Sequence, residues 1–137
     1  MSSGRKMQNT SYHWPRRWSD SVRSLDLAWK RSEMLRRWKE WVDKIVEASK
    51  VVLSSDLVGV YVFGSAVTGR LVACSDVDIL IVVKNLPSSL LARSEIKEKI
   101  ELKADLPYFH PFEIHLVSEE EAKIYFRHIG ENFIKLY

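Results

Sequence analysis

Leu57-Val58-Gly59-Val60-Tyr61-Val62-Phe63-Gly64-Ser65 and Ser75-Asp76-Val77-Asp78-Ile79-Leu80-Ile81-Val82-Val83 are the two stretches on which the fold turns. Leu57–Phe63 is short, apolar and rich in β-branched and aromatic residues, the composition of a buried strand. Gly64 follows it at once and allows a sharp backbone turn. Val77–Val83 reads as a second buried strand, closed by Lys84-Asn85-Leu86-Pro87. Working outward, residues 88–104 have the pattern of a helix with Ser88 or Ser89 at its N-cap. Phe112–Val117 alternates and reads as a third strand. Ser118-Glu119-Glu120-Glu121 is a capping box, and the helix it opens carries Ala122, Tyr125, Phe126 and Ile129 before stopping at Gly130. On the N-terminal side, Met34, Leu35, Trp38, Trp41, Val42, Ile45 and Val46 form one apolar stripe at helical spacing. Helical pattern begins near Asp20, and Val22, Leu25, Ala28 and Trp29 belong to the same helix or to a first, separate one. The order is helix, strand, short connection, strand, helix, strand, helix.

The chain has 137 residues, 46% of them apolar and 28% charged. That is enough for one ordinary domain with its own core. The expected division is a flexible tail over residues 1–19 and a single domain over 20–137. The only cysteine, Cys74, excludes an intramolecular disulfide framework and reads as a small packing residue. No apolar run approaches the length of a membrane span, and Met1–Asp20 lacks a secretory signal, so the expectation is a cytoplasmic protein with no membrane partner. Charge is uneven: residues 1–50 hold 12 Lys/Arg against 6 Asp/Glu, and residues 51–137 hold 9 against 12. All five tryptophans lie in the first 41 residues. A basic N-terminal half leaves room for an RNA partner, although Arg16, Arg17, Arg36 and Arg37 are expected on a solvated face.

The chemistry concentrates after the first strand. A glycine and a small hydroxyl at Gly64-Ser65 let a backbone approach an anion closely, and amide groups at the start of a helical turn add to such a site. Asp76 and Asp78 are two residues apart at the head of a strand, so their side chains are expected on one face. Two close carboxylates repel unless a cation lies between them, and Mg²⁺ prefers such oxygen ligands. A pair of ions about 3.5–4 Å apart stabilises the entering and leaving oxygens of a phosphoryl transfer. Glu113 is the best third carboxylate, being an acid in a largely apolar strand. His115 shares its face and is the rival polar group, read as structural.

Gly64-Ser65 after a strand, Gly69, and Ser75-Asp76-Val77-Asp78 leading a second strand resemble the DNA polymerase β-type nucleotidyltransferase superfamily over residues 57–117. The short chain is similar to its minimal nucleotidyltransferases, many of which are paired with HEPN proteins in toxin–antitoxin systems. The resemblance implies an α/β (α+β) fold with a small mixed β-sheet, like the polymerase β palm. It implies that Asp76, Asp78 and Glu113 are catalytic and hold two Mg²⁺ ions, with Gly64, Ser65 and Ser75 on the nucleotide. The implied reaction moves a nucleoside monophosphate from an NTP, ATP first, to an acceptor hydroxyl and releases pyrophosphate. Ala66 departs from the family, where a basic residue often follows Gly-Ser, and Arg70 is the candidate substitute. Larger members continue into a helical substrate-binding domain, so the acceptor here is expected to be recognised by a HEPN-type partner, a second copy or the N-terminal helix. Two other readings stand beside this one. The first is a non-catalytic antitoxin-like module that binds a HEPN-type partner through its Trp-rich helix. The second is nucleotide addition to RNA.

Overall fold

The computed structural model describes residues 16–72 and 75–137, with side chains from Ser24 onward. Among these residues no helix is long and apolar enough to cross a membrane. The chain divides into two units between Arg31 and Ser32. Helix α1 spans Arg16–Arg36, starting four residues before the expected Asp20. The tail expected over residues 1–19 lies outside the described residues up to position 15, as does Cys74. In the first unit, residues 24–30 of α1 are exposed, including Trp29.

The second unit begins with the last turn of α1 and a break at Arg37, whose backbone leaves helical geometry (φ −109°, ψ 33°). Helix α2, Trp38–Leu53, follows. The helical stripe is therefore two helices. Met34, Leu35, Val42, Ile45 and Val46 are buried as their spacing requires, and Trp38 and Trp41 pack half-buried against them. Trp38 and Trp41 thus contribute to the core while remaining partly exposed. Arg36 and Arg37 are exposed and pair with Glu33 (2.6 Å) and Glu40 (2.9 Å), the solvated face expected of them.

A 3₁₀ turn at Ser54–Asp56 leads into strand β1, Leu57–Phe63. Then come the single helical turn α3 (Ser65–Thr68), β2 (Val77–Val83), α4 (Leu90–Lys103), β3 (Phe112–Ser118), α5 (Glu119–Ile129) and β4 (Phe133–Lys135). Ser89 caps α4, accepting from the Ala92 N–H. The capping box at Ser118–Glu121 is formed in both directions. The sheet runs β3-β2-β1-β4, with β2 and β3 parallel and the other pairs antiparallel. It is the small mixed sheet expected, plus one unforeseen strand. β4 has only three residues and no alternation of its own; its pairing with Tyr61–Phe63 makes it a strand.

Strand alternation gives the sheet two unlike faces. Val60, Val62, Val77, Ile79, Ile81 and Val83 point to the face that joins α2 and Ile100 of α4 in the main core. The other face carries Tyr61, Phe63, Leu80, Val82 and Val117, packed with Ala122, Tyr125 and Phe126 of α5. Asp78, two residues before Leu80, belongs to this second face. Glu113 and His115, four and two residues before Val117, share it. α5 closes over the Leu80–Val82 end and leaves the carboxylate end accessible.

Candidate active site

The site grows from the end of β1. Gly64 has φ +81° and ψ −148°, a conformation open essentially to glycine. Its carbonyl accepts from Val67 (3.1 Å) and Thr68 (3.2 Å), closing the α3 turn. Gly69, in the left-handed region at φ +76°, ends that turn, and the Arg70 N–H returns to the Ser65 carbonyl at 3.1 Å. The Gly-Ser…Gly spacing thus encodes one helical turn bounded by two positive-φ glycines, with Ser65 half-buried at its head and Arg70 exposed beyond it.

Asp78 lies beside this turn. In the ladder it faces Phe63 on β1 and Glu113 on β3. Its Oδ2 occupies the space where a β-carbon on Gly64 would sit. Its Oδ1 is 3.2 Å from Nε2 of His115, whose Nδ1 is 3.4 Å from the Tyr125 hydroxyl. The imidazole also packs against Phe63, with ring centroids 5.4 Å apart. One donor atom from each of Asp78, Glu113 and His115 can be chosen so that all lie within 4.8 Å of one another. Asp78 and His115 are half-buried and Glu113 is exposed.

The other expected residues stand differently. Asp76 is exposed and is not one of that three-residue cluster. β2 starts at Val77, whose N–H donates to the Pro111 carbonyl at 2.7 Å. Pleat alternation is enforced only from there, so Asp76 is not bound to the face of Asp78 by strand geometry. Ser75 is tied to Val72: its N–H donates to the Val72 carbonyl (2.9 Å), and its Oγ accepts from the Val72 N–H (3.0 Å). Of the expected acids, the sheet brings Asp78 and Glu113 together, and it adds His115 to them. His115 was legible as a same-face neighbour of Glu113, but Tyr125 carried no sign beyond its place on an apolar helical face.

Residues 41–132, which contain this whole arrangement, match the family described as Polymerase beta, Nucleotidyltransferase. The chain belongs to the polymerase β nucleotidyltransferase family. Within it, this nucleotidyltransferase-family chain is 34% identical over 62 residues to a candidate protein adenylyltransferase of Methanocaldococcus jannaschii, covering 45% of this chain and 42% of that protein. The chain thus spans less than half the length of this curated relative. Among solved structures it is similar to a candidate nucleotidyltransferase from Sulfolobus solfataricus, with 20% identity, 81% and 86% of the two chains covered and a TM-score of 0.50. That likeness concerns the fold. A toxin–antitoxin crystal structure with AMP-PNP matches at 22% identity, with 69% and 71% coverage and a TM-score of 0.49.

Proposed function

We propose that this chain transfers a nucleoside monophosphate from ATP to a hydroxyl group on a partner protein. The acceptor oxygen forms a bond to the α-phosphorus, the bond from that phosphorus to the bridging oxygen breaks, and pyrophosphate leaves. The acceptor's proton passes to a carboxylate of the site, for which Glu113 is the accessible group.

One observation carries this reading: the positive-φ turn at Gly64 is packed against the Asp78 carboxylate, with Glu113 opposite on the next strand. A phosphate-approaching turn and a pair of hard oxygen donors are thereby adjacent. The donor set fits a divalent cation, because the carboxylates converge with a third donor within 4.8 Å. Asp76, Asp78 and Glu113 are the residues assigned to hold Mg²⁺, which when bound offsets the charge of the phosphates and of the leaving pyrophosphate. Gly64 and Ser65 grip the β and γ phosphates, with Arg70 as the nearest basic residue along the chain. Ser75 shapes the loop before Asp76. ATP as donor and protein as acceptor are supported by the name of the Methanocaldococcus relative. A HEPN-type partner is what the minimal-nucleotidyltransferase resemblance implies for that acceptor.

The test needs no knowledge of the acceptor. Thermal unfolding is followed with ATP, with and without Mg²⁺, on the wild type and on the Asp76→Asn/Asp78→Asn double variant. A ligand at about a hundred times its Kd adds roughly 2.7 kcal/mol of stability. A Mg²⁺-dependent stabilisation lost in the double variant is expected. Equal stabilisation of both proteins would remove these aspartates from the nucleotide site.

A further inference from the structure

The carboxylate pair and its phosphate turn do not account for His115. Its ring is held on both sides. Nδ1 is 3.4 Å from the Tyr125 hydroxyl, Nε2 is 3.2 Å from Asp78 Oδ1, and Phe63 and Tyr125 pack against the ring at centroid distances of 5.4 and 5.6 Å. Parallel pairing fixes its height: Leu80 faces His115 just as Asp78 faces Glu113, so the imidazole and both carboxylates share one face of adjacent strands.

We propose that His115 is itself a ligand of the divalent cation, through Nε2, and that it gives the site a preference for a first-row transition ion such as Fe²⁺ or Zn²⁺ over Mg²⁺. This rests on the cation site proposed above and changes which ion that site favours. Three features carry it. First, neighbouring ligands on a six-coordinate ion with bonds of about 2.1 Å are about 3.0 Å apart, close to the 3.2 Å between Nε2 and Asp78 Oδ1. Second, a metal-bound histidine usually donates its other ring N–H to an oxygen that fixes its orientation, and the Tyr125 hydroxyl stands in that place. Third, both contacts admit the tautomer protonated on Nδ1, in which Nε2 and Asp78 Oδ1 would present lone pairs to one another, an arrangement that a shared cation relieves. An imidazole nitrogen is poorly matched to Mg²⁺ and best matched to later transition ions such as Fe²⁺ and Zn²⁺, for which Mn²⁺ serves as the paramagnetic probe. The competing arrangement has Nε2 protonated and donating to Asp78, a plain hydrogen bond with no metal role.

The experiment is Mn²⁺ binding to the nucleotide-free full chain, followed by electron paramagnetic resonance with Mg²⁺ competition. Wild type is expected to bind Mn²⁺ at least about tenfold more tightly than Mg²⁺, with nitrogen hyperfine coupling on the bound ion. His115→Gln should abolish the coupling and weaken Mn²⁺ about tenfold or more, while changing Mg²⁺ affinity less than about threefold. Tyr125→Phe, which retains the imidazole, should keep the coupling and weaken Mn²⁺ by a smaller factor. Mn²⁺ bound without nitrogen coupling, or bound equally well by His115→Gln, overturns the ligand role. Those two results leave Mg²⁺-dependent ATP stabilisation intact, so they are distinct from failure of the proposed function, in which neither ion promotes ATP binding.

Discussion

A β-carbon on Gly64 would lie 2.5 Å from Oδ2 of Asp78. The glycine that follows β1 and the carboxylate at the second position of β2 therefore fit one another atom against atom. Only the absence of a side chain at 64 lets the turn and the acid share this space. Gly64 is constrained twice, by that contact and by its φ of +81°.

Gly64→Ala should accordingly do more than strain the backbone. The backbone penalty alone is of order 1–3 kcal/mol, and the added methyl must also displace the Asp78 carboxylate. Urea denaturation should show the stability loss. ATP binding in the folded fraction should fall with it. Unchanged ATP binding would separate this turn from the nucleotide.

Asp78→Asn and Glu113→Gln preserve shape while removing charge, and each should lower transfer at least about a hundredfold with little change in Tm. The readout is label carried from the α-phosphate of ATP to the partner protein. Asp76 lies outside the three-residue cluster. Asp76→Asn measured alongside therefore reports whether nucleotide or ion binding recruits it: an equal loss means that it does.

Glu121 ties α4 to α5. It accepts from the Ser118 N–H at 2.9 Å and takes both Arg93 contacts, at 2.9 and 3.1 Å. The Ser118 backbone N–H first, and then the Arg93 guanidinium, hold its carboxyl below the ordinary value of 4.5 against the opposing effect of burial. A depressed carboxyl contributes stability that is present above the unfolded value and lost as pH falls through the folded one. Wild type should thus lose stability on acidification below pH 4.5, and Glu121→Gln should lose less over that window. Parallel acid unfolding curves for the two proteins would contradict this. Ser118→Ala, which removes the other half of the capping box, should cost about 1 kcal/mol.

His110 holds the entrance to β3. Its Nδ1 accepts from the Phe112 N–H at 3.1 Å, so the ring proton sits on Nε2 and is directed at Glu101 Oε2, 2.9 Å away. Glu101 thereby links α4 to the strand that carries Glu113 and His115. His110→Ala leaves a backbone donor and a carboxylate without these partners, at a cost of about 1–3 kcal/mol. Hydrogen exchange at the Phe112 amide should accelerate beyond what the global loss explains. Exchange that merely follows global stability would mean the clip does not act locally.

Much of this architecture is written in local pattern. Leu57–Phe63 and Val77–Val83 are strands with the bounds their composition indicates. Ser89 and Ser118 cap the helices they precede. The Gly64–Gly69 turn follows from two glycines at a fixed spacing. Each depends on residues within a few positions of one another, where side-chain chemistry and backbone preference act directly. The Asp-x-Asp spacing reaches past the ladder. Alternation holds only inside a paired strand, and pairing begins at Val77, leaving Asp76 outside the ladder.

The sequence alone determined the first three strands, the caps, the Gly64–Gly69 turn and the acids of the candidate site, because periodicity and short-range contacts decide these. Tertiary structure decided which side chains meet. Asp78 and His115 are 37 positions apart, and only the parallel β2–β3 register brings them within 3.2 Å. Tyr125 reaches the imidazole because α5 folds back over that face, and β4 exists because β1 offers it an edge. Such contacts depend on how distant segments pack, and no spacing within either segment encodes them.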